Sequence, residues 1–596
     1  MRLSLNEAST FVGDILPIRL IDEGRELRSA EISWECRGEA ISIRTFQNGK
    51  HAFSDGALII ARREGEGEVV ATLDGVECRA TVKVRNARGS SGELHYFLGD
   101  LHDHTSRTHK PDEFATQEYG RIEDYLHQIN EEGRLDFSVI SDHADVTNDS
   151  LFFRGFELTR SGEYEKVITL AGAESEIKYC EHDRFGVEHR LSGEIVTLNS
   201  AGYAYATDFE TLERELSPSP MAVAIFAHPH VVGYSTNGIW DFDYKRRATP
   251  ALLHAVRGIE MGNGADRNEN LLHEYAISAA LDAGFRVSTT CASDSHGPNW
   301  RYDIMPGKTV IMAYERSREA FIDALRNNRF YATESGNVKL AYTVNGSPAP
   351  ADLPMTDRYD FHVDLAYFQE DADSRIERLM VMSDYGDCLL SLDVGGKEEI
   401  EFTIRSDRAR YFYLRLIDRR GRKTWSPPVW CGRAFDKEPL PPLSPIDMSR
   451  VRAFTARGEC PKLINGNPYD TTLFDSPGCE VTLDMGSVRT VSALGYYPHL
   501  VLRSKEKGKS WETSGESAGI VSHYAITVSE DGEHYSEVKR GRFSSLGIES
   551  ILYFGKQKAR FVRFIALATV GSSSFLPAYK DSPARIANLS LFDTQS

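Results

Sequence analysis

Residues 99–105 read GDLHDHT and follow a short apolar run, which predicts that they close a β-strand. His102 and His104 lie two residues apart in this stretch. Because alternate side chains of a strand point to the same face, both imidazoles can reach one ion. The stretch therefore predicts the start of a divalent metal site at the end of a strand.

The same arrangement recurs up to about residue 335, where short apolar runs end in histidine or carboxylate. The endings are DFSVISDH with Asp142 and His143, VITLAGAES with Glu174, MAVAIFAHPH with His228 and His230, and RVSTTCASDSH with Asp294 and His296. Helical patterns such as RIEDYLHQINEEG and NENLLHEYAISAALDAG lie between the runs. This alternation predicts a parallel sheet or barrel, whose strands present active-site groups at their carboxyl ends.

The pattern of apolar residues changes along the chain and predicts four domains. Alternating apolar and polar residues predict β-sandwiches at residues 1–88, 336–435 and 446–596, around a βα unit at residues 93–335. The small polar residues 86–93 and the proline-rich residues 436–445 are typical of linkers.

The composition is that of a globular chain that repels polyanions. Its 596 residues include 69 Lys and Arg against 88 Asp and Glu, a formal charge of -19, so we expect no nucleic-acid partner. The opening segment lacks the apolar run of a signal peptide, and no stretch has the length of a membrane-spanning helix. We predict a cytoplasmic protein without membrane association, with an extracellular protein as the alternative. The eight cysteines form no CxxC pair, which favours buried thiols over structural zinc.

The donor types indicate which ions the strand ends would bind. Imidazole and carboxylate suit zinc, manganese or iron. A single strand-end histidine usually only makes a hydrogen bond, so the prediction depends on the whole cluster. Because the candidates exceed what one ion can use, we predict two or three ions. The candidate ligands are His102, His104, His109, His143, Glu174, His189, His228, Asp294 and His296.

The motifs GDLHDHT, DFSVISDH, AGAES, AHPH and ASDSH resemble, in this order, those of the PHP (polymerase and histidinol phosphatase) superfamily. The resemblance covers about residues 95–335. It implies a distorted (β/α)7 barrel with a trinuclear site, usually of zinc, manganese or iron.

The resemblance also implies three ligand sets that share one carboxylate. These are His102, His104, Glu174 and Asp294 for the first ion, Glu174, His189 and His228 for the second, and His143, His296 and His109 for the third. His109 lies slightly closer to the HDH pair than in trinuclear members, so two ions remain an alternative. His182 competes with His189, which is preferred because the strand GEIVTLN follows it.

Four further residues are candidates for roles in the reaction. Asp142 is assigned to fix an imidazole tautomer. His230, Arg267 and Arg301 are candidates to aid a leaving group, and His230 is also a candidate to orient a ligand or to touch the substrate.

The last 150 residues resemble a second family, the discoidin or coagulation factor 5/8 type C domains, which include carbohydrate-binding modules. The likeness runs through LINGNPYDTTLF, EVTLDMGS, HYAITVSEDGEHYSEV and ARFVRFIAL. It implies a jelly-roll and a carbohydrate ligand, and a purely structural domain is the alternative. Leu473 and Phe474 stand where a Trp is often found, and Trp511 is a candidate platform for a sugar.

Together these features predict a metal-dependent hydrolase that uses a metal-bridging hydroxide. The leading hypothesis is a phosphoesterase that acts on a small phosphorylated molecule or on a glycan-linked phosphate. One alternative is a carboxylic ester or carbamate hydrolase, and another is a non-catalytic carbohydrate-binding protein.

Overall fold

The chain is β-rich and multidomain. The computed structural model describes residues 1–23, 32–46, 53–87, 92–105, 121–145, 147–204, 208–229, 250–264, 267–296, 300, 307–433, 441–499, 518–543, 546, 548–572 and 580–594. No helix among these residues is long and apolar enough to cross a membrane.

The N-terminal unit consists of two four-stranded sheets, with strand orders β1-β3-β6-β5 and β2-β8-β7-β4. The strands β1 to β8 are Arg2–Leu3, Glu7–Phe11, Ile15–Ile21, Ser33–Arg37, Ile41–Phe46, Phe53–Ala61, Gly65–Leu73 and Val76–Arg85. Alternation in β7 and β8 buries Val69, Ala71 and Val82 against Ile59 of the other sheet. The two sheets therefore enclose one hydrophobic core.

The central unit begins with seven strands that are neighbours in chain order, from β9 to β15. The strands β9 to β17 are His95–Gly99, Phe137–Ile140, Ile168–His182, Glu188–Leu198, Val223–Ala227, Val256–Asn263, Ser288–Ala292, Lys308–Ala313 and Phe330–Thr333. Strands β9 to β11 are parallel, as are β13 to β15, but β12 is antiparallel to both of its neighbours. The fold thus departs from a regular βα repeat, because β11 and β12 form a long hairpin without a helix between them.

In the described part of the central unit, six α-helices connect the strands. They are α1 (Ile122–Glu132), α2 (Asp149–Leu158), α3 (Phe209–Leu216), α4 (Pro250–Ala255), α5 (Arg267–Asp282) and α6 (Arg318–Arg326). Helix α1 ends at Gly133, whose φ of 59° is the left-handed value that glycine adopts at low cost. The side chain of Asn148 caps α2 by accepting a hydrogen bond from the Leu151 amide at 3.0 Å.

The central sheet continues into the third unit. Strand β17 pairs with β26, so that Ala332 lies opposite Trp425 and Thr333 opposite Thr424. The strands β18 to β27 are Val338–Val344, Ser347–Pro348, Ala351–Asp352, Arg358–Tyr367, Ile376–Met382, Cys388–Asp393, Glu399–Arg405, Tyr411–Asp418, Lys423–Trp425 and Val429–Trp430. A second sheet of order β19-β18-β21-β24 shares a hydrophobic core with this extension.

The C-terminal unit is a nine-stranded sheet built from β28 to β36. These strands are Leu443–Pro445, Arg452–Thr455, Gly458–Glu459, Thr472–Leu473, Cys479–Pro498, Val521–Ser529, Ser536–Arg542, Ser550–Thr569 and Arg585–Thr594. Because β28 pairs with β36, the end of the stretch expected to be a linker, residues 436–445, is a strand of this sheet. The unit packs on α5, where the Tyr275 hydroxyl donates a hydrogen bond to the Phe543 carbonyl at 2.6 Å.

A second contact joins the C-terminal unit to the tip of the β11–β12 hairpin. The guanidinium of Arg184 lies 2.7 Å from the Glu549 carboxylate and donates a hydrogen bond to the Ser590 hydroxyl at 2.6 Å. The Tyr497 hydroxyl donates a hydrogen bond to Asp183. The hairpin is therefore held at its tip by a different unit from the one that forms its base.

The central and third units are also joined by a buried ion cluster. The carboxylate of Glu274 in α5 pairs with Arg415 of β25, and lies 3.0 Å from Nζ of Lys423 in β26. Burial alone would raise the pKa of Glu274, but Lys423 and Arg415 outweigh it and lower the pKa to about 2. The pair therefore stabilises the junction as long as Glu274 is ionised.

We expect Glu274→Gln to lower the free energy of unfolding at pH 7 by about 3 kcal/mol, because the buried Arg415 and the partly buried Lys423 lose their counter-ion. The folded pKa of about 2 lies below the ordinary value of 4.5. The contribution of Glu274 is thus complete above about pH 4.5 and is lost as the pH falls through about 2. Urea unfolding followed by tryptophan fluorescence should show that the difference in unfolding free energy between wild type and variant becomes smaller from pH 7 to pH 3.

The matched control for this prediction is Asp393→Asn, which removes an exposed ion pair with Arg378. We expect this change to alter the unfolding free energy by less than about 0.5 kcal/mol. If the difference in unfolding free energy between wild type and Glu274→Gln stays constant or grows on acidification, the assigned role of the Glu274, Arg415 and Lys423 cluster is contradicted.

Candidate metal centre

Histidine and carboxylate side chains from six strands converge at one edge of the central sheet. They are His102 and His104 after β9, His143 after β10, Glu174 in β11, Glu194 in β12, His228 after β13, and Asp294 and His296 after β15. Two parallel bridges tie these segments together, one between Asp103 and Ser295 and one between His143 and Glu174. The chain after β15 therefore lies beside the chain after β9, although their strands are at opposite ends of the seven.

Glu174 lies at the middle of the cluster, and only 1% of its surface is exposed. Its Oε1 atom lies 3.1 Å from Nε2 of His102 and 3.2 Å from Nε2 of His228. Its Oε2 atom lies 2.8 Å from Nδ1 of His143 and 3.5 Å from Nε2 of His104. One carboxylate thus contacts four imidazoles, which is the arrangement expected of a ligand shared between two ions.

Asp294 and His296 extend the cluster from the end of β15. Oδ1 of Asp294 lies 2.9 Å from Nε2 of His104, and Nε2 of His296 lies 3.2 Å from Nε2 of His143. The His104 ring stacks on the rings of His143 and His296, with centroids 4.4 and 4.1 Å apart. Nδ1 of His104 is buried and has no hydrogen-bond partner in the described part of the chain.

Glu194 is a member of the cluster that the strand-end pattern did not predict. Its Oε2 atom lies 3.4 Å from Nε2 of His228, and its Oε1 atom lies 3.8 Å from Nδ1 of His143. In β12 it pairs with Glu176 on one side and with Ala227, the last residue of β13, on the other. Strand β12 therefore adds a carboxylate to the ligands that the strand ends predicted.

The donor set fits divalent cations. Four overlapping triads have ligand atoms that all lie within 4.8 Å of one another. These triads are His104, His143 and His296; His102, His104 and Glu174; His102, His228 and Asp294; and His143, Glu174 and Glu194. Imidazole nitrogen and carboxylate oxygen suit zinc, manganese and iron. Because the triads share members without coinciding, the cluster has room for more than one ion.

The charges of the cluster balance each other in a buried environment. Burial lowers the pKa of His102, but the carboxylates of Glu174, Asp294 and Glu260 outweigh it and raise the pKa well above its ordinary value. In the same way, nearby carboxylates raise the pKa of His143 to about 9 and that of His228 to about 10. The acidic partners hold these imidazoles in place by charge as well as by hydrogen bonds.

The pKa values of the carboxylates shift in opposite directions. Burial raises the pKa of Glu174 and of Asp294, but His102 and other imidazoles lower both well below their ordinary values. Burial and the Glu174 charge raise the pKa of Glu194 to about 7. Glu194 is thus the acid of the cluster whose charge is least compensated by neighbouring side chains.

Two residues of the cluster have a strained backbone. His228 has a φ of 25° and Asp294 a φ of 49°, values that L-residues adopt at a cost. The His228 amide donates a hydrogen bond to Oε2 of Glu260 at 2.7 Å. Nδ2 of Asn263 donates to Oδ2 of Asp294 at 3.1 Å. Glu260 and Asn263 belong to β14, so this strand supports both strained positions.

Asp142 has a different role from the predicted one. Its carboxylate accepts hydrogen bonds from the Thr105 amide at 2.5 Å and from the Thr105 hydroxyl at 2.7 Å. It therefore anchors the chain after His104 rather than an imidazole ring. Burial raises the pKa of Asp142 to about 6, against the effect of the hydrogen bonds from Thr105.

Five predicted site residues cannot be placed as side chains. His109, His230 and Arg301 lie outside the described residues. His189 and Arg267 lie in β12 and α5, but their side chains are outside the described part. Their roles as ligands or as aids to a leaving group stay predictions.

No protein-family model matches the chain, and no curated protein sequence matches it. Solved structures resemble about a quarter of it. One is CpGH89CBM32-5 from Clostridium perfringens in complex with GalNAc-beta-1,3-galactose, with 20% identity over 25% of this chain and 100% of that chain, at a TM-score of 0.20.

Two further structures are similar to the same extent. The family 32 carbohydrate-binding module of NanJ from C. perfringens, in complex with galactose, is 19% identical over 25% of this chain and 99% of that chain, at a TM-score of 0.20. Truncated AlyQ, with CBM32 and alginate lyase domains, is 17% identical over 26% of this chain and 35% of that chain, at a TM-score of 0.20. These similarities leave the activity of the chain open, and the resemblance to the PHP superfamily stays a prediction.

We expect Glu194→Ala to hold fewer manganese or zinc ions per chain than the wild type, because the cluster loses a carboxylate that lies 3.4 Å from His228 and 3.8 Å from His143. Metal content after dialysis against a metal buffer, measured by plasma mass spectrometry, checks this. His127→Ala is the matched control, since His127 is an exposed histidine of α1. Equal metal content in Glu194→Ala and wild type would exclude Glu194 as a ligand.

Proposed function

We propose that the chain is a metal-dependent hydrolase of the PHP type that cleaves phosphoesters. The observation that supports this proposal is the set of four overlapping donor triads at one sheet edge. Donor sets of this kind bind two or more cations a few Å apart, and such sites recur in enzymes that act on phosphate esters. The proposed substrate is a small phosphorylated molecule or a glycan-linked phosphate.

The proposed ligand sets follow from the contacts. His102, His104, Glu174 and Asp294 would hold one ion, and Glu174, Glu194 and His228 a second. His143 and His296 face each other and would hold a third with His104. When bound, the cations lower the pKa of a water molecule and neutralise charge on a phosphoryl oxygen.

The chain itself orients its ligands. Nδ1 of His296 lies 2.8 Å from the Asp294 carbonyl, and because a carbonyl can only accept, Nδ1 carries the proton. Nε2 of His296 is then left with its lone pair directed at the cluster. In most metal-bound histidines, one ring nitrogen donates a hydrogen bond in this way and the other nitrogen binds the metal.

The cluster has a closed and an open side. The side chains of His102, His104 and Glu174 are 0% exposed. Those of His143 and His296 are 19% and 24% exposed. We infer that the substrate approaches past His143 and His296, while the buried residues keep bulk water from the inner side.

Phosphate release from p-nitrophenyl phosphate, bis-p-nitrophenyl phosphate and sugar phosphates tests the proposal. Chelator-treated protein should be inactive and should regain activity with manganese, zinc or iron(II). Asp294→Asn should lower kcat by about 100-fold or more, since a charged group at the reacting centre is lost. His362→Ala, which changes a partly exposed histidine of the third unit, should keep wild-type activity.

The same experiment separates the two chemical classes. A metal-loaded protein that cleaves p-nitrophenyl acetate or an aryl carbamate, and none of the phosphoesters, would be a carbonyl hydrolase instead. A metal-loaded protein that cleaves neither class would contradict the proposed function.

We also propose that the C-terminal unit binds a carbohydrate. The supporting observation is Tyr469, which is 58% exposed in a loop with polar neighbours. Asp470 in this loop lies 2.8 Å from Nζ of Lys462 and accepts a hydrogen bond from Asn465 at 2.8 Å. An exposed aromatic ring beside fixed polar groups is suited to stack on a sugar ring.

Affinity electrophoresis in gels that contain galactose-bearing polysaccharides checks this second proposal. We expect the wild type to be retarded and Tyr469→Ala to migrate as in a sugar-free gel. Val488→Ala is the control, because Val488 is another exposed apolar residue of the same unit, at 47% exposure. Equal retardation of wild type and Tyr469→Ala would exclude this loop as the sugar site.

A further inference from the structure

Glu260 is a buried carboxylate in the middle of β14, and only 1% of its surface is exposed. It is not a member of any of the four donor triads among the described residues. Both of its oxygens nevertheless contact residues of the metal centre. A buried carboxylate needs such partners, because an unpaired charge in this environment is costly.

The two oxygens of Glu260 have different partners. Oε1 lies 2.9 Å from Nδ1 of His102. Oε2 accepts hydrogen bonds from the His228 amide at 2.7 Å and from Nδ2 of Asn263 at 3.0 Å. A carboxylate has no proton to give, so Nδ1 of His102 must be the donor to Oε1.

We infer that Glu260 is a positioning residue that selects Nε2 of His102 as the metal-facing nitrogen. This inference rests on the proposed metal-dependent function. Because Nδ1 keeps its proton for Glu260, Nε2 is the ring nitrogen at which a bound cation would take the place of a proton. Nε2 is the atom that faces Glu174 at 3.1 Å and Asp294 at 3.5 Å.

The two groups that face Oε2 of Glu260 are fixed hydrogen-bond donors. The His228 amide is a backbone donor, and it is fixed by the strained turn at that residue, where φ is 25°. Nδ2 of Asn263 also donates to Asp294, so this amide nitrogen serves two carboxylates. Any group that replaces Oε2 must therefore accept hydrogen bonds.

This constraint makes Glu260→Gln a sharp test. The new amide has one oxygen and one NH2 group, and its oxygen must face the donors from His228 and Asn263. The NH2 group then faces Nδ1 of His102 and can only donate to it. The ring proton would move to Nε2, where it blocks the lone pair that a cation needs.

We expect Glu260→Gln to bind manganese or zinc at the His102 position about 10- to 100-fold more weakly than wild type, the usual effect of losing such a hydrogen bond. Competition with a fluorescent chelator on the full-length, metal-free chain measures this affinity without an activity assay. Glu260→Ala should be the less stable variant, since it leaves two buried donors without an acceptor. Its metal affinity should fall no further than that of Glu260→Gln, because nothing then forces the proton onto Nε2.

A purely structural role would make metal affinity follow stability, so that the nearly isosteric Gln variant would bind metal more tightly than the Ala variant. Glu274→Gln is the matched control, because it also removes a buried carboxylate from the central unit. Among the described residues, Glu274 pairs with Arg415 and Lys423 and contacts none of the histidines and carboxylates of the metal centre. We expect its metal affinity to equal that of wild type.

The outcomes separate the inference from the proposed function. A wild type that binds metal while Glu260→Gln binds it equally well would overturn the inference and leave the function intact. A wild type that binds metal and cleaves no ester, with weak binding by Glu260→Gln, would support the inference and contradict the function. A wild type that binds no metal would overturn both.

Discussion

The contact between one buried carboxylate and four imidazoles determines the rest of the centre. Glu174 draws His102, His104, His143 and His228 together from the ends of three strands. Taking these groups out of water is costly, and only mutual pairing or a bound cation offsets that cost. The sheet around them is therefore built to bring chain segments that are distant in sequence to one edge, even at the expense of left-handed backbone at His228.

Two levels of support surround this contact. Within the central unit, β14 provides Glu260 and Asn263, and Thr105 is anchored by Asp142. Further away, the hairpin that carries Glu174 at its base is held at its tip, where Arg184 pairs with Glu549 of the C-terminal unit. A unit far along the sequence thus helps to fix the strand on which the central carboxylate lies.

The histidines at strand ends could be predicted because each directly follows an apolar run, and parallel strands end at the same edge. The same rule could not find Glu194. Strand β12 is antiparallel, so the site lies beside its interior rather than after its end. The role of Glu260 could not be predicted for a related reason, because the sequence of an apolar strand does not show which face of the sheet an acidic residue within it occupies. The pairing of β17 with β26, which makes the sheet continuous between the central and third units, could not be predicted from the local sequence. Packing determines which strands pair when they are separated by about ninety residues.

That continuous sheet has a consequence for how the protein can be divided. The boundary expected between residues 335 and 336 falls directly after β17, whose outer edge is covered by β26. A fragment that ended there would expose a row of unsatisfied amides and carbonyls, and such an edge recruits other chains. The central unit and the sandwich that follows it thus form one continuous folding unit, although their sequences differ in character.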